Sequence, residues 1–317
     1  MTLKRRALLA LAVAATGLAA LPALAQDYPN KPITMLVGYN AGGQTDLVAR
    51  GAAQVLSQEL GQPINVVNVP GAGGVVSAKK LQESPNDGYT IMFHANSVVN
   101  SAPFLMKRVD FKPDDFEWGG FITAYQGGLV APADAPYNDL AEFVAWAKEN
   151  PNFAYGALSP EARMYMNEIA KKNDLKANIV PLNSGGEMIN AILGHQVVMA
   201  LSGGIHAKYP DQIKMLATLT TFRHSNAPEV KSIDDFGYSL AMDTRAGIMA
   251  PKGTDPAIMA KLSAALAKCE TDESFQKIVA AANIPIIYMD AAAAKAEMEA
   301  TFAKNGEIYK SAGVEPQ

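Results

Sequence analysis

Between Ile33 and Phe93, three short β-branched runs alternate with two helical stretches, and this alternation constrains the fold more than any other feature of the chain. Ile33–Val37, Ile64–Val69 and Tyr89–Phe93 read as strands. Asp46–Leu60, ended by Gly61, and a stretch running to about Glu83 read as helices. A β-α-β-α-β series of this kind implies right-handed crossovers and an α/β sheet flanked by helices.

The pattern repeats after about Tyr125. Helices are expected over Leu140–Glu149, Glu161–Lys172 and up to Leu193, and strands over Phe153–Gly156, Ala177–Leu182, Val197–Leu201 and Ile213–Leu219. After Arg245, a strand over Ala246–Ala250 precedes the helices Pro256–Lys268, Asp272–Ala281 and Ala291–Tyr309. If those last helices return to the first unit, the chain crosses twice between two lobes and leaves a hinge beside a cleft.

The chain begins with a basic head, Lys4-Arg5-Arg6, an apolar run from Ala7 to Leu21 and the small-residue exit Ala23-Leu24-Ala25. That is the pattern of a secretory signal over residues 1–25, too short for a membrane anchor, and it predicts a periplasmic protein. Removing those 25 residues from 317 leaves 292, and losing three basic residues moves the net charge from −4 to −7. An acidic chain of this kind is a poor partner for nucleic acid. The single cysteine, Cys269, reads as a small buried hydrophobe. No metal-ligand spacing, cofactor motif or catalytic constellation stands out, and Ser202-Gly203-Gly204 does not form a G-x-S-x-G elbow. Neither cofactor nor metal nor catalytic residue is therefore assigned.

Two glycine-bearing strand-to-helix turns are the candidate ligand sites. In the first, Tyr39-Asn40-Ala41-Gly42-Gly43-Gln44-Thr45-Asp46, glycines allow close backbone approach and Thr45 is placed to cap a helix whose first N–H groups favour an anion. In the second, Asn183-Ser184-Gly185-Gly186 precedes a helix from Glu187, whose own charge suits the helix dipole. Facing each other across a cleft, the two could clamp one carboxylate. Asn96 and Ser97, just past a strand end, are further hydrogen-bonding candidates.

The chain resembles the Bug/TctC solute-binding proteins of tripartite tricarboxylate transporters. Five segments carry the resemblance in order: Tyr28-Pro29-Asn30-Lys31-Pro32-Ile33, Ala41–Asp46, Asn68–Gly74, Pro85–Thr90 and Gly247–Thr254. It implies a two-lobed periplasmic binding protein fold (type II-like); with the alternation above, each lobe is expected to be a mainly parallel sheet, residues 26–124 and 246–317 forming one lobe and 125–245 the other. It also implies an organic-acid ligand held by the Tyr39–Asp46 loop and Ser184–Gly186, and a two-subunit membrane permease as partner. A monomer is expected.

The second lobe departs from the family pattern. Ala157-Leu158-Ser159-Pro160-Glu161-Ala162-Arg163 stands where a Gly/Ser-rich turn followed by a His is usual, Arg245 replaces an aromatic residue, and Val198 replaces an Asp. Ser159, Arg163 and Arg245 thereby join the ligand-binding candidates. A guanidinium in the cleft would favour a dicarboxylate or aromatic acid. The competing readings are a sensory receptor, which would have the same fold and cleft, and a periplasmic hydrolase, which would need a nucleophile oriented by a base.

Overall fold

The computed structural model describes residues 28–182, 185–224, 227–282 and 284–316. The predicted signal, residues 1–25, lies outside the described residues. Among those described, no helix is long and apolar enough to cross a membrane.

The first lobe is built on a six-stranded sheet. Its strands are β1 (Ile33–Val37), β2 (Ile64–Asn68), β3 (Thr90–Ala95), β4 (Phe116–Tyr125), β10 (Thr244–Pro251) and β11 (Ile286–Met289), in the order β11-β4-β10-β3-β1-β2. The second lobe carries β5 (Gly128–Pro132), β6 (Phe153–Ala157), β7 (Ala177–Pro181), β8 (Met199–Ser202) and β9 (Ile213–Thr218), in the order β7-β6-β8-β5-β9.

Both sheets are mixed, where the β-α-β alternation of the sequence predicts mainly parallel ones. β1 runs parallel to β2 and β3, but β10 is antiparallel to both β3 and β4 because it re-enters the first sheet from the opposite lobe. In the second sheet β6 is parallel to β7 and β8, while β5 is antiparallel to β8 and β9.

Helices cover both faces of each sheet, as parallel connections require. In the first lobe, α1 (Gln44–Leu60), α6 (Pro256–Lys268) and α7 (Glu273–Ala281) bury Val48, Leu56, Leu262 and Phe275 against one face. On the other face, α2 (Val75–Gln82) and the start of α8 (Ala291–Ser311) bury Leu81 and Met298 with Trp118. In the second lobe, α3 (Leu140–Glu149) and α4 (Pro160–Asn173) bury Phe143 and Tyr165 with Tyr155, and α5 (Gly185–Leu193) covers the remaining face with Met188 and Ile192.

Local signals fix the ends of these helices. Gly61 takes the left-handed conformation (φ 66°) that closes α1. Asp139, Asp255, Asp272 and Asp290 each accept a backbone N–H at the start of α3, α6, α7 and α8. Cys269 is buried at the end of α6, and burial pushes its thiol up to about 12.

The chain crosses between lobes after Tyr125 and again before Thr244, and these two residues are register partners in the β4–β10 pair. A third link was not foreseen. The helix α8 contributes Ala294 and Met298 to the first lobe's core and Ile308 and Tyr309 to the second's. β4 was also missed as a strand, because Phe116–Tyr125 is buried along nearly its whole length and lacks the alternation that marks a half-exposed strand.

Candidate functional site

A cavity of about 320 Å³ lies between the lobes. The first lobe lines it with Tyr39, Gln44, Thr45, Ala95 and Ser97, the second with Gly127, Glu161, Tyr165, Leu201, Gly203, Leu219 and Thr220, and the crossing segments with Tyr125, Met242 and Thr244.

The first-lobe wall is a built loop. Asp46, buried in the first turn of α1, accepts from the Gly42 amide at 2.8 Å, from Arg50 Nε at 3.0 Å and from Asn68 Nδ2 at 2.8 Å. Asn68 Nδ2 also donates to the Tyr39 carbonyl at 2.9 Å. Desolvation pushes the Asp46 carboxyl up, but donation from Arg50, Gly42 and Asn68 outweighs it and holds the group below the usual carboxylate range.

Behind the loop, His94 fills the space that two glycines leave open. A Cβ on Gly38 would stand 2.4 Å from His94 Nε2, and one on Gly74 would stand 1.9 Å away. Desolvation lowers the His94 pKa to about 4, so the ring is neutral at physiological pH. The Tyr39 ring packs edge-on against it, with centroids 4.6 Å apart.

Gly43, not Thr45, is the N-cap of α1, and no side chain caps the turn. The Thr45 hydroxyl is instead hydrogen-bonded to the Tyr125 hydroxyl, which joins the helix start to the hinge. The first-turn N–H groups of Gln44 and Thr45 therefore have no acceptor within the helix. Both residues line the cavity. Such a turn can receive a carboxylate, favoured by the positive end of the helix dipole.

On the second lobe, the helix start that lines the cavity belongs to α4. Ser159 is its N-cap, and its hydroxyl oxygen accepts from the Ala162 amide at 3.1 Å. Glu161 follows in the first turn. Solvent reaches it in part through the cavity it lines, yet protein atoms surround it, and desolvation raises its carboxyl to about 7.

Of the residues predicted from sequence, Tyr39, Thr45 and Ser97 line the cavity. Asn40, Ala41 and Gly43 are exposed on the loop but do not line it. Gly42 faces a neighbouring groove of about 440 Å³, shared with Leu47, Ile205 and Lys208. Asp46 is a correction: it is buried outside the cavity lining, and its carboxylate takes three of the loop's own donors. Asn96 is buried, with its Oδ1 accepting from the Arg245 amide at 3.1 Å.

The two arginines are corrections as well. Arg163 is exposed and outside the cavity lining. Arg245 is buried, its guanidinium held 3.3 Å from Asp243 and 3.2 Å from Glu297, and packed over the Phe222 ring. Ser184 lies outside the described residues. Gly185 and Gly186 open α5, with Gly185 beside Ile205, and neither lines the cavity, whereas Glu161 and Tyr165 of α4 do.

Sequence reasoning missed Glu161 and Tyr165 as cavity residues, while Tyr125, which reads from sequence as a core or cleft-wall aromatic, lines the cavity. The unusual Ser-Pro-Glu at 159–161 is the signal in the sequence that points to Glu161. Ser202 and His206 stand 2.8 Å apart, Oγ to Nδ1, but neither lines the cavity; the serine also accepts from the Gly204 amide, fixing the turn that follows β8. Among the described residues no group of three or more His, Cys, Asp or Glu side chains is placed to hold a metal ion.

Comparison with known proteins gives a consistent result. Residues 48–314 match the sequence profile of a family described as the tripartite tricarboxylate transporter family receptor, TctC. A Cupriavidus necator protein, "UPF0065 protein in gbd 5'region", is 35% identical over 293 residues, covering 90% of this chain and 89% of the relative. The protein BugT of Bordetella pertussis is 29% identical over 266 residues, covering 81% of each chain. The crystal structure of a TctC solute-binding protein from Polaromonas superposes with a TM-score of 0.76 at 25% identity, covering 90% of this chain and 99% of that one.

Proposed function

Because the chain belongs to the TctC, or Bug, family of tripartite tricarboxylate transporter receptors, we propose that it captures a small organic carboxylate between its lobes and delivers it to a two-subunit membrane permease. The observation that carries this reading is the position of the start of α1. Its uncapped amides meet a cavity walled by both lobes, so one bound carboxylate would touch both and draw them together. Closure would remove water from the carboxylate and strengthen its charge-assisted hydrogen bonds, each contributing about 1.5–3 kcal/mol.

On this reading residues 1–25 are removed on export, the mature chain works in the periplasm, and the closing lobes are 26–124 with 246–317 and 125–245. Tyr39, Thr45 and Ser97 are the proposed contacts from the predicted set, joined by Gln44 and Tyr125. Aromatic acids suit the reading through the three tyrosine rings of the lining, Tyr39, Tyr125 and Tyr165.

The test is a thermal-shift screen of mono-, di- and tricarboxylates, aromatic acids included, followed by solution scattering with any hit. A ligand that binds only the folded state raises its stability by RT ln(1 + [L]/Kd) and should compact the particle. A screen in which carboxylates neither stabilise nor compact the protein would reject the reading.

A further inference from the structure

We propose that the ligand carries a protonated amine beside its carboxylate, and that the Glu161 carboxylate receives the amine. This rests on the reading of the cleft as a carboxylate site and narrows the class of carboxylate to amino acids and related amino-carboxylates.

The charge balance of the cavity leads to it. Among the described residues, Glu161 is the one acidic side chain of the lining, and no Lys, Arg or His is part of it. Among the described residues no hydrogen bond or ion pair reaches its carboxyl. The titratable groups that feel it are hydroxyls: Tyr39 on the loop after β1, Tyr155 on β6, Tyr165 on its own helix and Tyr309 on α8. The one acid coupled to this set, Asp234, acts on Tyr165. Each of the four hydroxyls is raised by burial first and by Glu161 second.

An anion entering this cavity meets the like charge of ionised Glu161, offset only by the α1 amides and helix dipole on the opposite wall, and lobe closure increases the repulsion by lowering the dielectric. A ligand that brings its own cation removes that penalty. The tyrosine rings of the lining point to the same chemistry, since aromatic faces attract an ammonium group. A carboxylate end at the α1 amides and an ammonium end at Glu161 match the two walls of the cleft in sign.

Isothermal titration of the mature chain with matched pairs tests this: L-phenylalanine against 3-phenylpropionate, L-leucine against 4-methylpentanoate, and 4-aminobutyrate against butyrate. The expected result is that at least one amine-bearing member binds about tenfold or more tighter than its partner, and that E161Q closes the gap. In the wild-type protein its affinity rises between pH 6 and pH 8 as Glu161 ionises. This second measurement stands even if E161Q fails to fold.

Equal or tighter binding of the amine-free members, weakening over the same pH range, would show Glu161 acting as a protonated donor and would overturn the proposal alone, leaving a carboxylate receptor. Failure of every carboxylate, with or without an amine, would overturn both.

Discussion

Arg245 Nε lies 3.2 Å from Glu297 Oε1, fastening the strand that returns from the second lobe to the helix that closes the chain. Asp243 sits on the same guanidinium and also accepts from the Thr221 amide at 2.8 Å, so the tie reaches a residue just past β9 of the second lobe. A buried cation compensated in this way belongs to the hinge, and the consequences can be measured.

Arg245→Ala strands Asp243 and Glu297 without their cation. Breaking a buried pair on one side costs about 3–5 kcal/mol, which urea unfolding will register as a lower midpoint. Arg163→Ala, at an exposed position, should change stability by no more than about 0.5 kcal/mol and leave ligand affinity unaltered. Lost affinity on Arg163→Ala would restore that residue to the site.

Asp46→Asn removes the charge that gathers Gly42, Arg50 and Asn68. A loss of roughly 2 kcal/mol is expected at pH 7, with weaker ligand binding because the Tyr39 loop loses its anchor. The folded-state pKa of Asp46 lies below its unfolded value, so its contribution is present above the unfolded pKa and disappears as pH falls through the folded one. Stability measured from pH 5 downward should therefore fall less steeply in the variant than in the wild type.

Gly74→Ala would force a Cβ into His94 at a backbone conformation, φ +99°, that side chains rarely adopt. Severe destabilisation is expected. The double variant with His94→Ala should recover part of it, by relieving the clash but not the φ strain. A thermal melt of the four proteins in the cycle separates the two contributions. Additive losses would mean that His94 and Gly74 are not in contact.

The stability of the ligand-free protein should depend on pH through opposing groups. His94 and His206 are both lowered to about 4 by desolvation, so the unfolded chain binds more protons than the folded one between about pH 6.5 and 4, and stability falls as pH falls through that window. Glu161 acts in the other direction, because its raised folded-state value makes stability fall as pH rises from 4.5 to about 7. E161Q should thus be more stable than wild type at pH 8, by about 3 kcal/mol at most, and equal to it near pH 4. Chemical unfolding at both pH values checks the sign.

Much of the fold was legible in the sequence because its signals were local. Ile33–Val37, Leu140–Glu149 and Pro256–Lys268 form the elements expected of them, the strand from its short β-branched run and the helices from their periodicity and capping residues. β4 was not legible, since a strand buried on both faces carries no alternation and its Gly119-Gly120 pair reads as a break.

The candidate site was half legible for a similar reason. The α1 turn announces itself through its glycines, but the opposing wall depends on which second-lobe helix start faces the cleft, and that is set by packing between lobes rather than by any local motif. The arginines misled because their long side chains can reach many partners. Only the positions of Asp243 and Glu297 reveal where the Arg245 guanidinium ends.

The last helix has one end seated in each core. At 21 residues it is a rod of about 31 Å, gripped by Met298 near one end and by Tyr309 near the other. Two bodies joined by a pair of strands alone can swing apart like a door. With this strut socketed in both, they can only roll about its axis, or else its final turns must pull free of the second body. On the proposed reading, the extent of opening would therefore be governed by this helix, some distance from the cavity between the lobes.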